Sequence, residues 1–116
     1  MRFLLYTTGD NTQPSAPPTP QMIEEVGKFT DETRRAGILL ATGGLGPSST
    51  RVRNTGGKLS VTDGPFTEAK EVVGGYAIVE TKTKDEALEI ARRFMELHRI
   101  HWPEFECESE IRQIES

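Results

Sequence analysis

Cysteine, histidine and long apolar runs are all scarce in this chain. Cys107 is the single cysteine, so no disulfide can close within the chain, and the lone thiol fits a reducing, cytoplasmic setting. No apolar run approaches the ~20 residues of a bilayer span, and Met1 to Tyr6 is too brief for the apolar core of a signal peptide. Basic side chains are outnumbered: 14 Lys and Arg against 18 Asp and Glu leave a formal charge of -4. A protein that grips nucleic acid by neutralising phosphates needs a basic field, so direct nucleic-acid binding is excluded as a reading. Only two histidines are present, His98 and His101, and no cofactor is called for.

What remains is ordinary globular composition. The chain has 116 residues, 34% of them hydrophobic and 28% charged, with Leu, Ile, Val and Phe spread along its length. That is one domain, residues 1–116, with material for one core.

Arg2 to Thr8 is β-rich and apolar and predicts a buried strand. The proline-rich stretch from Gln13 to Pro20 forbids helix and ladder pairing alike, so it predicts a surface loop. Thr19 then stands at an N-cap position with Pro20 at the first helical position. Met22, Ile23, Val26, Phe29, Thr33 and Ala36 recur at helical spacing and predict one apolar stripe, closed by Gly37. Ile38 to Thr42 reads as a strand and Gly43 to Ser49 as a loop. Arg51 to Arg53 and Lys58 to Thr62 flank a glycine turn, which predicts a half-exposed hairpin. A loop and short turn from Asp63 to Val73 lead to a central strand at Tyr76 to Glu80. Thr83 and Glu86 match a capping box, and Ala87, Leu88, Ala91, Phe94, Met95 and His98 form the apolar face of a second helix. Glu106 to Ile114 alternates as a last strand. The order β-α-β, hairpin, β-α-β predicts an α+β, ferredoxin-like sandwich: an antiparallel sheet with two helices on one face.

The run Thr62-Asp63-Gly64-Pro65-Phe66-Thr67-Glu68-Ala69-Lys70-Glu71, followed by Val73-Gly74-Gly75-Tyr76, resembles the signature of the YCII-related proteins, and within them the subgroup named for its Asp-Gly-Pro-Phe (DGPF) motif. Arg2 to Leu5, Gly43-Gly44-Leu45 with Pro47, Asp85-Glu86-Ala87 and Glu110-Ile111-Arg112 are similar to the family pattern as well. The resemblance implies a ferredoxin-like fold that pairs through its sheet as a dimeric α/β barrel. It also implies two functional directions. Some relatives are proposed to use a His-Asp pair in acid–base chemistry, and one branch dehalogenates a hydroxylated aromatic ring. Others are linked to transcription initiation and sigma factors. The N-terminal histidine of the catalytic branch has no counterpart here, since the first histidine is His98.

Asp63 has two readings. It is either a cleft carboxylate whose burial would raise its pKa into general-base range, or an Asx-turn residue bonded to nearby backbone amides. Glu68, Lys70 and Glu71 either line a polar pocket with Asp63 or form a solvated, mixed-charge face. Glu106, Glu108, Glu110 and Arg112 share one face of the last strand, opposite Cys107, Ser109 and Ile111. Those carboxylates call for opposing cations, from Arg51, Arg53 or Lys58 of this chain or of a second copy; the other reading is an edge strand charged against unwanted pairing. Arg112 also has a fork suited to an anionic group. Two histidines without a firm third ligand do not make a metal site; His98, in step with Phe94 and Met95, predicts a packed, hydrogen-bonded ring. Cys107 reads as structural.

A sheet covered on one face only predicts a homodimer through the other face, which would carry Phe3, Leu5 and Ile78 or their alternates. The functional expectation is a small-molecule-binding or acid–base protein, with Asp63 as catalyst and Glu68, Lys70, Glu110 and Arg112 as ligand contacts. The alternative is a non-catalytic regulatory module associated with transcription initiation.

Overall fold

Alternation in Arg2 to Asp10 decides which residues the core receives. In a strand successive side chains leave on opposite faces. Here Phe3 and Leu5 go to the helices, while Leu4 and Tyr6 go to the open side. The structure, a computed structural model, describes residues 1–10, 17–46, 48–64 and 71–115. Its elements are β1 (Arg2–Asp10), α1 (Pro20–Arg35), β2 (Leu39–Gly44), β3 (Thr50–Thr55), β4 (Lys58–Asp63), β5 (Glu71–Glu80), α2 (Lys84–His101) and β6 (Cys107–Gln113). The main sheet runs β2-β5-β1-β6 with every neighbouring pair antiparallel. This is the ferredoxin-like α+β arrangement.

Register fixes the two faces. Phe3 pairs with Val79 and Leu5 with Ala77, while Leu4 pairs with Ile78 and Tyr6 with Tyr76. The first set joins Ala87 and Ala91 of α2 in the core, where Phe3 is 1% exposed and Val79 and Ala87 are fully buried. Burying side chains of that size contributes about 2 to 3 kcal/mol each. The open face therefore carries Leu4, Tyr6, Tyr76 and Ile78, not Phe3 and Leu5.

Both helices start where their caps say. Thr19 Oγ1 accepts from Met22 N at 3.1 Å, and Pro20 opens α1. The end of α1 satisfies its last carbonyls through a Schellman motif: Gly37 N donates to Arg34 O at 3.0 Å and Ile38 N to Thr33 O at 3.1 Å. Gly37 has φ +76°, which an L side chain resists. Met22 and Thr33 are buried, but Ile23 is 63% exposed and Ala36 is exposed too. The covered stripe is narrower than the spacing predicts. Thr83 caps α2 by accepting from Glu86 N at 3.2 Å. The reciprocal arm differs from the standard box, since the Glu86 carboxylate accepts from Lys82 N at 2.9 Å, one residue before the cap. Leu88 is also exposed, and Ile90 packs on the core instead.

Strand boundaries move. Gly43 and Gly44 continue β2, where paired backbone satisfies its polar groups even without side chains, and Glu71 to Val73 belong to β5, paired with β1. The hairpin is the larger departure. β3 and β4 form a sheet of their own, joined by Gly56 and Gly57 at φ +59° and +76°, the turn geometry that suits strand twist. Its apolar side is not half-buried: Val52, Leu59 and Val61 are 67%, 76% and 70% exposed. The Cα radius of gyration is 16.1 Å, against ~13 Å for a compact chain of this length, in keeping with a hairpin that stands off the body. Among the described residues no helix is long and apolar enough to cross a membrane.

Candidate functional site

The described residues surround a cavity of about 410 Å³ between the helices and the sheet. Two glycine pairs open it. Gly44 pairs with Gly75 across β2 and β5, so at this pair the two strands have no side chains with which to fill the space below the helices. The strands lie so close that a Cβ on Gly75 would meet Gly43 O at 3.2 Å. Val26, Phe29, Thr30 and Thr33 of α1, with Ile90, Ala91 and Phe94 of α2, form the roof, and Leu5, Leu39, Ala77 and Val79 part of the floor.

Polar groups in this lining are hydroxyls. Thr7 and Ser109, opposite each other on β1 and β6, face it together with Thr30, Thr33 and Thr42. Thr33 Oγ1 donates to Phe29 O at 2.9 Å and Thr42 Oγ1 to Tyr76 O at 2.9 Å. No described lining residue carries a carboxylate, imidazole, thiol or amine. An apolar cavity with a few hydroxyls has the character of a small-molecule site. The cavity was legible only as two Gly-Gly dipeptides, and the sequence alone does not say that they pair.

The charged candidates stand elsewhere. Asp63, at the end of β4, is exposed. Its carboxylate accepts from Thr50 Oγ1 at 2.8 Å across the hairpin; the amides an Asx-turn would use, beyond Pro65, lie outside the described residues. Glu110 and Arg112 are neighbours on the open face of β6, opposite Tyr6 and Leu4 respectively. Tyr6 Oη donates to the Glu110 carboxylate, and that bond, reinforced by desolvation, holds the phenol above its ordinary pKa while Arg112 opposes it. Asp63 thus sits on the hairpin, apart from the Glu110 and Arg112 pair on the main sheet, and neither set lines the cavity. Glu68 and Lys70 lie outside the described residues.

His98 is the packed ring its spacing predicts. It is 7% exposed, its Nδ1 lies 3.1 Å from Phe94 O, and the rings of Phe94, Trp102 and Phe105 surround it. Burial pushes its pKa down, and the Phe94 carbonyl offsets part of that shift. Thr19 Oγ1 donates to His101 O at 2.8 Å, joining the start of α1 to the end of α2. Cys107 is half-buried on the helix side of β6, and burial raises its thiol pKa, which keeps it protonated and slow to react. Among the described residues no cluster of three His, Cys, Asp or Glu is placed to hold a metal.

No curated protein matches the chain. Among solved structures, 5-chloro-2-hydroxyhydroquinone dehydrochlorinase from Burkholderia phenoliruptrix AC1100, in complex with 2,5-dihydroxybenzoquinone, is similar over 99% of this chain and 94% of its own, at 15% identity and a TM-score of 0.48. The YCII-related domain, as a family model, matches residues 1–96. That match takes in β1 to β5, α1 and most of α2, and the chain belongs to the YCII-related domain family.

Proposed function

We propose that this protein binds a small, largely apolar molecule between its helices and its sheet. The observation that carries the reading is the cavity of about 410 Å³ with its hydroxyl groups, within the roughly 300 to 1,000 Å³ of small-molecule sites. Binding is favoured over acid–base catalysis because no carboxylate, imidazole, thiol or amine stands among the described lining residues. Asp63, the carboxylate suited to such a step, is exposed and meets Thr50 on the hairpin. The run from Thr62 to Glu71, which resembles the motif of the DGPF subgroup, enters through its neighbours. Glu68 and Lys70, outside the described residues, stay in this reading as candidate ligand contacts on sequence alone, Lys70 being four positions before Gly74 of the cavity lining.

The same reading pairs two copies through the open sheet face. Leu4, Tyr6, Tyr76 and Ile78 are only half covered there, Leu40 is 45% exposed, and the helices lie on the other side. Burial of that face supports a homodimer, with Tyr6, Glu110 and Arg112 as its polar contacts.

Titrating the protein with neutral one- and two-ring aromatics, followed by methyl resonances of Val26, Val79 and Ile90, tests the binding. Saturable shifts are expected. A Cβ on Gly44 meets nothing within 4 Å and Gly44 lines the cavity, so Gly44→Leu starts in open space and puts its side chain into the cavity. It should weaken binding at least tenfold while the far-UV spectrum stays unchanged. Absence of saturable shifts in the parent protein, or equal binding by Gly44→Leu, overturns the reading.

A further inference from the structure

The hydroxyls that line the cavity differ in whether their protons are committed. Thr33 Oγ1 donates within its own helix, to Phe29 O at 2.9 Å and Thr30 O at 3.1 Å. Thr42 Oγ1 donates to Tyr76 O of β5 at 2.9 Å. Thr7 and Ser109 have no side-chain hydrogen bond among the described residues. Both are half-buried, and among those residues no fully buried side-chain oxygen lacks a partner. Their two oxygens therefore reach open space, and the cavity is the space that both residues line.

Strand geometry sets the two side by side. Thr7 of β1 and Ser109 of β6 are register partners, which puts their Cβ atoms about 5 Å apart on one face. Leu5 and Ile111, the register pair two positions on, leave the same face into the core. Each hydroxyl turns about its C–O bond and can donate, so two this close can converge on one oxygen atom. The surroundings are apolar, with Leu5 and Val79 below and Phe29 and Ile90 above, and no described lining residue carries a charge. An ionised ligand would leave water with no counter-ion to receive it. A pure hydrocarbon would cover both hydroxyls and leave their hydrogen bonds unmade.

We infer that Thr7 and Ser109 determine specificity in this cavity: they hold the carbonyl oxygen of an uncharged ligand whose apolar remainder fills the space under the helices. This specificity rests on the cavity binding proposed above and narrows the ligand to a neutral carbonyl compound. A carbonyl brings two lone pairs and no proton, and the pair brings two uncommitted donors. Thr30 of α1 is a further lining hydroxyl without a side-chain hydrogen bond among the described residues, but it belongs to the roof, across the cavity from the pair.

Three probes of one shape separate these effects: acetophenone, α-methylstyrene (a methylene in place of the carbonyl oxygen) and benzoate. Each is titrated into the full chain, with the methyl resonances of Val26, Val79 and Ile90 as readout. Acetophenone and α-methylstyrene should bind the parent saturably, and benzoate should not. Thr7→Val with Ser109→Ala removes both hydroxyls and little bulk. One hydrogen bond of this kind is worth about fivefold in affinity. Each single variant should therefore weaken acetophenone by about that factor, and the double variant at least tenfold, with α-methylstyrene bound no less tightly. Thr7→Ser, which keeps the hydroxyl, and Thr30→Val should both stay within threefold of the parent. The carbonyl assignment is overturned, and the cavity stands as a binding site, if the pair variants weaken neither probe or both alike. Benzoate binding as tightly as acetophenone, or Thr30→Val doing the damage of the double variant, overturns it too. If no probe binds the parent saturably, both fall.

Discussion

Removing one hydroxyl, in Thr19→Ala, should loosen the protein at two places at once. Thr19 Oγ1 accepts from Met22 N at 3.1 Å and donates to His101 O at 2.8 Å, so it caps α1 and also ties that helix to the last turn of α2. Losing an N-cap costs about 1 kcal/mol. Losing the second hydrogen bond costs about 1 kcal/mol more. Thr19 is half-exposed, so water replaces part of each bond, and a total of about 1.5 kcal/mol is expected. For a domain of this size that lowers the melting temperature by about 6 °C. Thr19→Ser keeps both bonds and should stay within about 0.5 kcal/mol of the parent. Urea unfolding monitored by far-UV dichroism measures both variants. An alanine variant as stable as the parent, or a serine variant as damaged as the alanine one, would refute the double role.

Two further perturbations follow from the aromatic cluster. A Cβ on Gly9 would lie 2.7 Å from Phe105 Cζ, so Gly9→Ala should push that ring off Trp102, on which it stacks with centroids 4.4 Å apart; changed tryptophan fluorescence is the readout, and an unchanged spectrum counts against the contact. His98 has its folded-state pKa lowered, chiefly by burial. The unfolded chain therefore binds the extra proton first as pH falls. Stability is complete above the ordinary histidine value of about 6.5 and is lost as pH drops from there through the lowered folded value. Denaturation midpoints at pH 7.5 and pH 5 (values on either side of about 6.5) should differ in the parent, and His98→Leu should narrow the difference; an equal difference in both proteins would assign it to other groups.

The order of elements was legible because local chemistry writes it: proline at the start of α1, glycine at its end, a threonine at each N-cap, and alternation in β1 and β6. Alternation also placed Glu108, Glu110 and Arg112 on one face of β6, as register confirms. It did not say which face of β1 meets the helices, since Phe3 with Leu5 and Leu4 with Tyr6 are both apolar enough, and only packing against Ala87 and Ala91 chose between them.

Local pattern therefore determined which segments are helix or strand, where the helices are capped, and that His98 would be a packed ring. It is a property of near neighbours along the chain. The cavity exists because Gly44 meets Gly75 from a strand some thirty residues away, and the hairpin's exposure follows from the rest of the fold leaving it without a neighbour. Such meetings are decided by the three-dimensional path of the backbone, which no short stretch of residues encodes alone.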